Sequence, residues 1–166
     1  MKIKVLAAVF VLCMAAVTRL HSFGLGVQFN FGTGNIFAPG VALALSPSDK
    51  THLAVNWHIA EEVNTFGFTG DYYLWTKQIM GEKQASLNFT LGAGLFANLE
   101  YDKSGGNDHG IDGGVRAPVG LNLMLFENFF EIYFHVAPSF GAQFAPKLDL
   151  TNLFFPVALG GRFWIR

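Results

Sequence analysis

Large apolar residues occupy every second position along most of this chain. In the first segment, 23–31, Phe23, Leu25, Val27, Phe29 and Phe31 share one parity, and Gly24, Gly26, Gln28 and Asn30 the other. Near the end the pattern returns. Leu153, Phe155, Val157, Leu159, Gly161, Phe163 and Ile165 alternate with Phe154, Pro156, Ala158, Gly160, Arg162 and Trp164. A period of two marks a strand with two unlike faces. Eight such segments can be read, at 23–31, 36–45, 53–59, 66–76, 87–99, 111–125, 130–142 and 153–165. Turn-like clusters separate them, with the longest loop at 100–110. Lengths of 7 to 15 residues bracket the 9–11 that a tilted membrane-crossing strand needs.

The second face decides the kind of β protein. On strands three to eight it carries Asn56, His58, Thr69, Asp71, Asn88, Thr90, Asn98, Asp112, Arg116, Asn122, Glu131, His135, Ser139 and Arg162, with glycines interleaved. A soluble ligand-carrying barrel would have a greasy interior and a polar outside. Here the apolar face is continuous and has to face lipid. The fold class expected is all-β, an eight-stranded antiparallel transmembrane up-and-down β-barrel. A barrel of eight strands has room inside only for its own side chains, so a plugged polar interior is expected. Aromatics gather where segments end: Phe23, Phe31, Trp57, Tyr72, Tyr73, Trp75, Phe129, Phe144, Phe154, Phe155, Phe163 and Trp164. They read as the girdles that membrane barrels place at the water borders.

Composition sharpens this. The chain is 51% hydrophobic with 18 Phe, yet after residue 22 no apolar run is long enough for a membrane helix. The start reads as an export signal: Lys2 and Lys4 precede an apolar run from Val5 to Val17, 13 residues, too short to span a bilayer. The domains expected are a signal peptide, 1–22, and a barrel, 23–166, in the cell outer membrane. Cys13 invites a lipoprotein reading, but Leu12 stands where a small residue is wanted. With the signal removed no cysteine remains, so disulfides and thiolate metal sites are excluded. The remainder keeps eight of the eleven Lys and Arg and all twelve Asp and Glu, a net charge of −4. Without a basic patch, nucleic acid is not an expected partner.

Three runs carry a resemblance. Gly114-Val115-Arg116-Ala117-Pro118-Val119-Gly120-Leu121, Glu131-Ile132-Tyr133-Phe134-His135-Val136-Ala137-Pro138 and Gly161-Arg162-Phe163-Trp164-Ile165 resemble small spirochaete outer-membrane barrels, a family of unknown function related in architecture to OmpA, OmpX and OmpW. The likeness covers residues 87 onward. It implies location and fold, and no reaction. Two departures stand out: His135 occupies the place of a second Glu, and the chain ends Ile165-Arg166 instead of in Phe. The second departure weakens the terminal signal for the barrel-insertion machinery.

The interior parity assembles candidate chemistry. Arg116 and Arg162 share a face with Asp71, Asp112 and Glu131, and buried charges need partners. An interior ion network of these five is expected, with Glu131 diagonal to Arg162. His58, Asn122, His135 and Ser139 are expected as further interior polar groups. Glu131, His135 and Ser139 invite comparison with a Ser/His/Glu lipid esterase. Spaced every fourth residue, they lie about 13 Å apart on an extended strand, whereas a nucleophile and its base need about 3 Å. His52, His58 and His109 lack metal-ligand spacing, so no metal or cofactor is expected. Tyr101, Asp102, Lys103, Ser104, Asn107, Asp108 and His109, in the longest loop, form the candidate contact surface.

With both termini periplasmic, outer loops fall at 32–35, 60–65, 100–110 and 143–152, and inner turns at 46–51, 77–86 and 126–129. The expected protein is a monomeric, non-enzymatic, porin-like surface barrel. Its expected partners are outer-membrane lipid, the barrel-insertion machinery and an extracellular or host protein reached through the loops. An OmpW-like narrow conduit for small hydrophobic molecules is the alternative, and it would need an apolar funnel inside one end. A lipid-modifying esterase is the remote third.

Overall fold

The computed structural model describes residues 22–32, 40–59, 63–102 and 109–166, except the side chains of 58, 59, 63, 64, 102 and 109. The expected signal peptide lies outside them. Eleven strand segments follow in order: β1 (Phe23–Phe31), β2 (Gly40–Ser48), β3 (Thr51–Ile59), β4 (Val63–Gly81), β5 (Ala85–Asp102), β6 (His109–Arg116), β7 (Val119–Leu125), β8 (Phe130–Val136), β9 (Ser139–Ala145), β10 (Asp149–Leu150) and β11 (Val157–Ile165).

These eleven segments build eight crossings of one closed antiparallel barrel. β5 pairs along one half with β6 and along the other with β7, so β6 and β7 are halves of a single crossing broken at Ala117-Pro118. β8 and β9 are likewise broken at Ala137-Pro138. Proline has no N–H to give a ladder, yet its carbonyl still accepts. Gly92 N donates to Pro118 O at 2.8 Å, Ala117 N to Pro138 O at 2.9 Å and Ala137 N to Pro156 O at 2.8 Å. The ladder therefore passes through the prolines. β11 closes the barrel against β1, from Phe23↔Ile165 to Phe31↔Val157, and pairs with β8 on its other side. Closure leaves no long edge for a neighbouring chain to pair with.

Parity places the side chains as the sequence predicts. Leu25, Val27 and Phe29 point outward, and so do Leu43, Val55, Val115, Leu121, Ile132, Phe134, Leu159 and Phe163, all exposed. Gln28, Asn30, Asn56, Thr69, Asn98, Asn122 and Arg162 point inward and are buried. This is the reverse of a water-soluble protein, in which large exposed apolar patches are rare.

Several expected boundaries move. The inner turn at 77–86 shrinks to 82–84, because β4 runs on to Gly81 and β5 starts at Ala85. Polar side chains do not end a strand while its backbone stays paired. Two bulges, between Tyr73 and Trp75 and between Gln78 and Met80, also shift the parity there and hide the alternation. Gly81 makes the tight turn at φ +110, where an added Cβ would lie 2.2 Å from Ala85 O. The turn at 46–51 reduces to Asp49-Lys50. The loop at 100–110 is shorter as well: Tyr101 and Asp102 belong to β5 and His109 to β6, held by ladders to Val63–Asn64 and to each other. The last segment begins at Val157 rather than Leu153, since Phe154 bridges to Ser139 and Pro156 interrupts. The loop at 143–152 contains the end of β9 and a short hairpin with β10.

Candidate functional site

The candidate site is the barrel interior, centred on Arg162. Register sets it opposite Glu131, one residue from β11 and one from β8, directly across instead of diagonal. Their contact is a two-point fork: Nε to Oε2 at 2.5 Å and an Nη2 hydrogen bond to Oε1 at 2.9 Å. Both side chains are 1% exposed. Bidentate arginine–carboxylate pairs are among the strong hydrogen bonds a protein makes, because both partners are charged and two bonds share one geometry. Glu131 receives two further donors, Trp164 Nε1–H at 2.6 Å and Asn122 Nδ2–H. Arg162 spends its remaining reach on Ser46 Oγ and on His52 Nδ1, the latter at 2.7 Å. It also lies over the rings of Tyr133 and Trp164, at 5.0 and 4.9 Å from their centroids. A buried ion pair is tolerable only when its leftover donors and acceptors are satisfied; here four groups besides the pair itself do that.

From Arg162 the network passes along the barrel. An arginine only donates, so the His52 Nδ1 that it reaches carries no proton. The other ring nitrogen then holds the hydrogen and gives it to Gln28 Oε1 at 3.1 Å. Tyr133 Oη donates to the same oxygen at 3.0 Å. Gln28 Nε2 donates to Asn30 Oδ1 at 2.7 Å, and Asn30 Nδ2 to Asn56 Oδ1 at 2.8 Å. On the far wall, His135 contacts Asn122 Oδ1 at 3.0 Å and Tyr73 Oη at 3.4 Å. Tyr133 and His135 stack with ring centroids 5.0 Å apart. Gly160 makes this possible, because a Cβ there would lie 2.3 Å from the Tyr133 ring.

The five expected ion-network residues separate into three places. Arg162 and Glu131 form the central pair. Arg116 Nε lies 3.1 Å from Asp71 Oδ1 in a second buried pair, with no aligned hydrogen bond between them. Asp112 joins no ion pair among the described residues; its partner is Asn98, whose Nδ2 donates to Oδ2 at 2.9 Å. That departs from the expectation, and the reason is register: Asn98, rather than an arginine, stands opposite Asp112.

The remaining expected residues fall as follows. Ser139 donates to Ala137 O at 2.7 Å, while His135 is engaged with Asn122 and Tyr73, so the Ser/His/Glu set meets nowhere. Asn122 is central and also accepts from Thr90 Oγ1 at 3.2 Å. The His58 side chain lies outside the described residues, as do Lys103, Ser104, Asn107 and Asp108. Tyr101 is a strand residue that points outward, its ring edge-on to Phe66 at 6.3 Å, so it belongs to the outer wall and not to a loop.

Sequence reasoning missed His52, Ser46, Tyr73, Tyr133 and Trp164. Trp164, Tyr73 and Phe154 were expected in the girdles, yet each is buried inside. For Trp164 the signal was present, since it shares parity with Arg162. The pleat fixes the face a residue occupies and overrides the preference of an aromatic ring for the water border. Phe154 meets Phe96 at 5.5 Å, the one buried apolar pair inside the described barrel. Beyond Glu131 and Arg162 toward the turn end lies an open polar cup of about 320 Å³, lined in part by Asp49, Gln78, Asn88 and Arg166.

Fold and interior define a small closed β-barrel with an apolar outside and a hydrogen-bonded plug. No protein-family model and no curated protein matches the chain. Among solved structures it is similar to the N-terminal β-barrel domain of Pseudomonas aeruginosa OprF, with a TM-score of 0.46 and 16% identity over 87% of this chain and 97% of that one. It is similar also to Neisserial surface protein A, at 0.46 and 12% over 86% and 95%. Ail, the attachment invasion locus protein of Yersinia pestis, matches at 0.37 and 14% over 87% and 97%.

Proposed function

We propose that this chain is a non-enzymatic integral protein of an outer membrane. In this reading it spans the bilayer as a closed barrel, conducts nothing, and acts through its structural presence and the surface of its ends. One observation carries the reading. The Arg162–Glu131 fork is wholly buried inside a barrel whose outward face is studded with exposed Leu, Val, Ile and Phe. Those apolar side chains need lipid, because water would drive them together. The interior they enclose is occupied by mutually bonded side chains, so an ion has no open path past the fork. Its partners in this reading are lipid, the machinery that inserts barrels, and whatever meets the exposed loops. The test is planar-bilayer recording of refolded protein. The expected result is a silent membrane at ±100 mV. Reproducible unitary steps from the unaltered chain would overturn the plugged-barrel reading and favour the conduit.

A further inference from the structure

The cup at the turn end of the barrel gathers the side chains that the interior network leaves out. Its wall comes from neighbouring strands in register. Thr76 and Gln78 of β4 stand opposite Thr90 and Asn88 of β5, and Asn88 and Ser86 in turn stand opposite Asn122 and Met124 of β7. Asn128, in the turn between β7 and β8, completes this side of the lining.

Charge in the lining cancels. At the buried floor Arg162 is paired with Glu131, and at the exposed rim Arg166 Nη2 lies 3.6 Å from Asp49 Oδ1. An anion or a cation entering the cup would have to break one of these pairs. Hydrogen-bonding capacity does not cancel. The Thr76, Ser86, Asn88 and Asn128 side chains line the cup and make no hydrogen bond among the described residues. Ser86 is the most telling of them, because it is only 9% exposed and its hydroxyl still meets no protein partner. A buried hydroxyl without a partner is costly, so something that enters the cup has to serve it. The cup's volume of about 320 Å³ equals that of about ten waters at ~30 Å³ each and is at the small end of ligand pockets.

We propose that this cup binds a neutral pyranose sugar, either free or as the end of a glycan chain. Each sugar hydroxyl both donates and accepts. A carboxamide presents N–H and C=O side by side, so Asn88 or Asn128 can span two adjacent hydroxyls, while Ser86 and Thr76 can take either role. A neutral ligand loses no ionic hydration on entry. Met124 and the Trp164 indole, also in the lining, offer carbon surface to the C–H side of the ring. A small hydrophobic molecule would instead strand the four unpartnered groups. For a ligand of this size in an open cup the dissociation constant should be on the order of 10⁻³ M. The inference goes beyond the proposed membrane role and does not depend on which end of the barrel faces outward.

The experiment is saturation-transfer NMR titration of the full refolded chain in lauryldimethylamine oxide, a detergent without a sugar headgroup. The probes are glucose, N-acetylglucosamine and its β-1,4-linked disaccharide, with glucuronate and glucosamine as charged counterparts. The neutral sugars are expected to bind and the charged ones to bind at least several-fold more weakly. Tighter binding of the disaccharide assigns the cup to a glycan end, and equal binding assigns it to a free sugar. Asn88→Leu should weaken binding at least tenfold and Ser86→Ala about threefold, the latter covering the case in which Asn88→Leu fails to fold. Both should unfold at the same urea concentration as the parent, since neither side chain holds a protein partner. Lys147→Met, at the far end of the barrel, should leave binding unchanged. Absence of binding by any neutral sugar at about 50 mM, well above the expected constant, would overturn the proposal. So would binding unchanged in both Asn88→Leu and Ser86→Ala, or a charged sugar that binds more tightly than its neutral counterpart.

Discussion

Replacing Arg162 with Met is the sharpest test of what holds the interior together. Methionine fills much of the arginine stem and leaves no donor. Glu131 then loses two of its four donors and keeps Trp164 and Asn122. Removing one partner of a buried ion pair costs about 3–5 kcal/mol, and the surviving hydrogen bonds place this case toward the low end. Ser46 Oγ and His52 Nδ1 also lose their donor, at about 1 kcal/mol or more each. The single change should therefore cost about 5 kcal/mol, built from those terms. Glu131→Gln leaves Arg162 charged and short of its counter-ion, at about 3 kcal/mol on the same scale. In the double variant neither charge is left alone, so the cost should fall below the sum of the singles by about 2–3 kcal/mol, the scale of coupling between contacting residues. The measurement is urea unfolding of the four proteins in lipid vesicles. A control cycle pairs Arg162→Met with Asp71→Asn, whose partner is Arg116, and should be additive. Additivity within about 0.5 kcal/mol in the Arg162–Glu131 cycle would refute the claim that these groups stabilise one another.

Other outcomes follow from the same wall. Trp164→Phe removes the indole donor to Glu131 and should cost about 1.5–3 kcal/mol in urea unfolding, while Trp75→Phe on the exposed face should cost under about 1 kcal/mol; similar losses at both sites would mean that Trp164 acts only as bulk. Spin labels at Leu43 and Ala44, 66% and 0% exposed, should report lipid and interior respectively, and the reversed pair of signals would place the register one residue off. Cysteine at Ser104 should react with an impermeant maleimide on intact cells, and labelling only after lysis would invert the proposed orientation.

The alternation itself determined the number of crossings, which residues face in and which face out, and the polarity of both faces. Those features depend on a period of two and on hydrophobicity, which are local and need no partner. Arg162 and Glu131 were legible as an interior pair because parity put both inside on adjoining strands. Pairing decided the rest. Where strands end depends on whether a neighbour continues the ladder, so the polar stretch after Lys77 reads as a turn in sequence and is a paired strand in the fold. Two bulges erased the period exactly where it was needed. Closure brought His52 and Ser46 from one side of the barrel to Arg162 on another, a meeting across more than 100 residues that no local pattern encodes. Aromatics misled because their preference for water borders is a tendency, whereas the face a strand residue occupies is fixed by the pleat. Trp164, two residues from Arg162 on one face, had to be inside whatever its ring preferred. The partner of Asp112 turned on register alone, since one place along β5 separates an amide from its neighbours and only the ladder says which of them stands opposite.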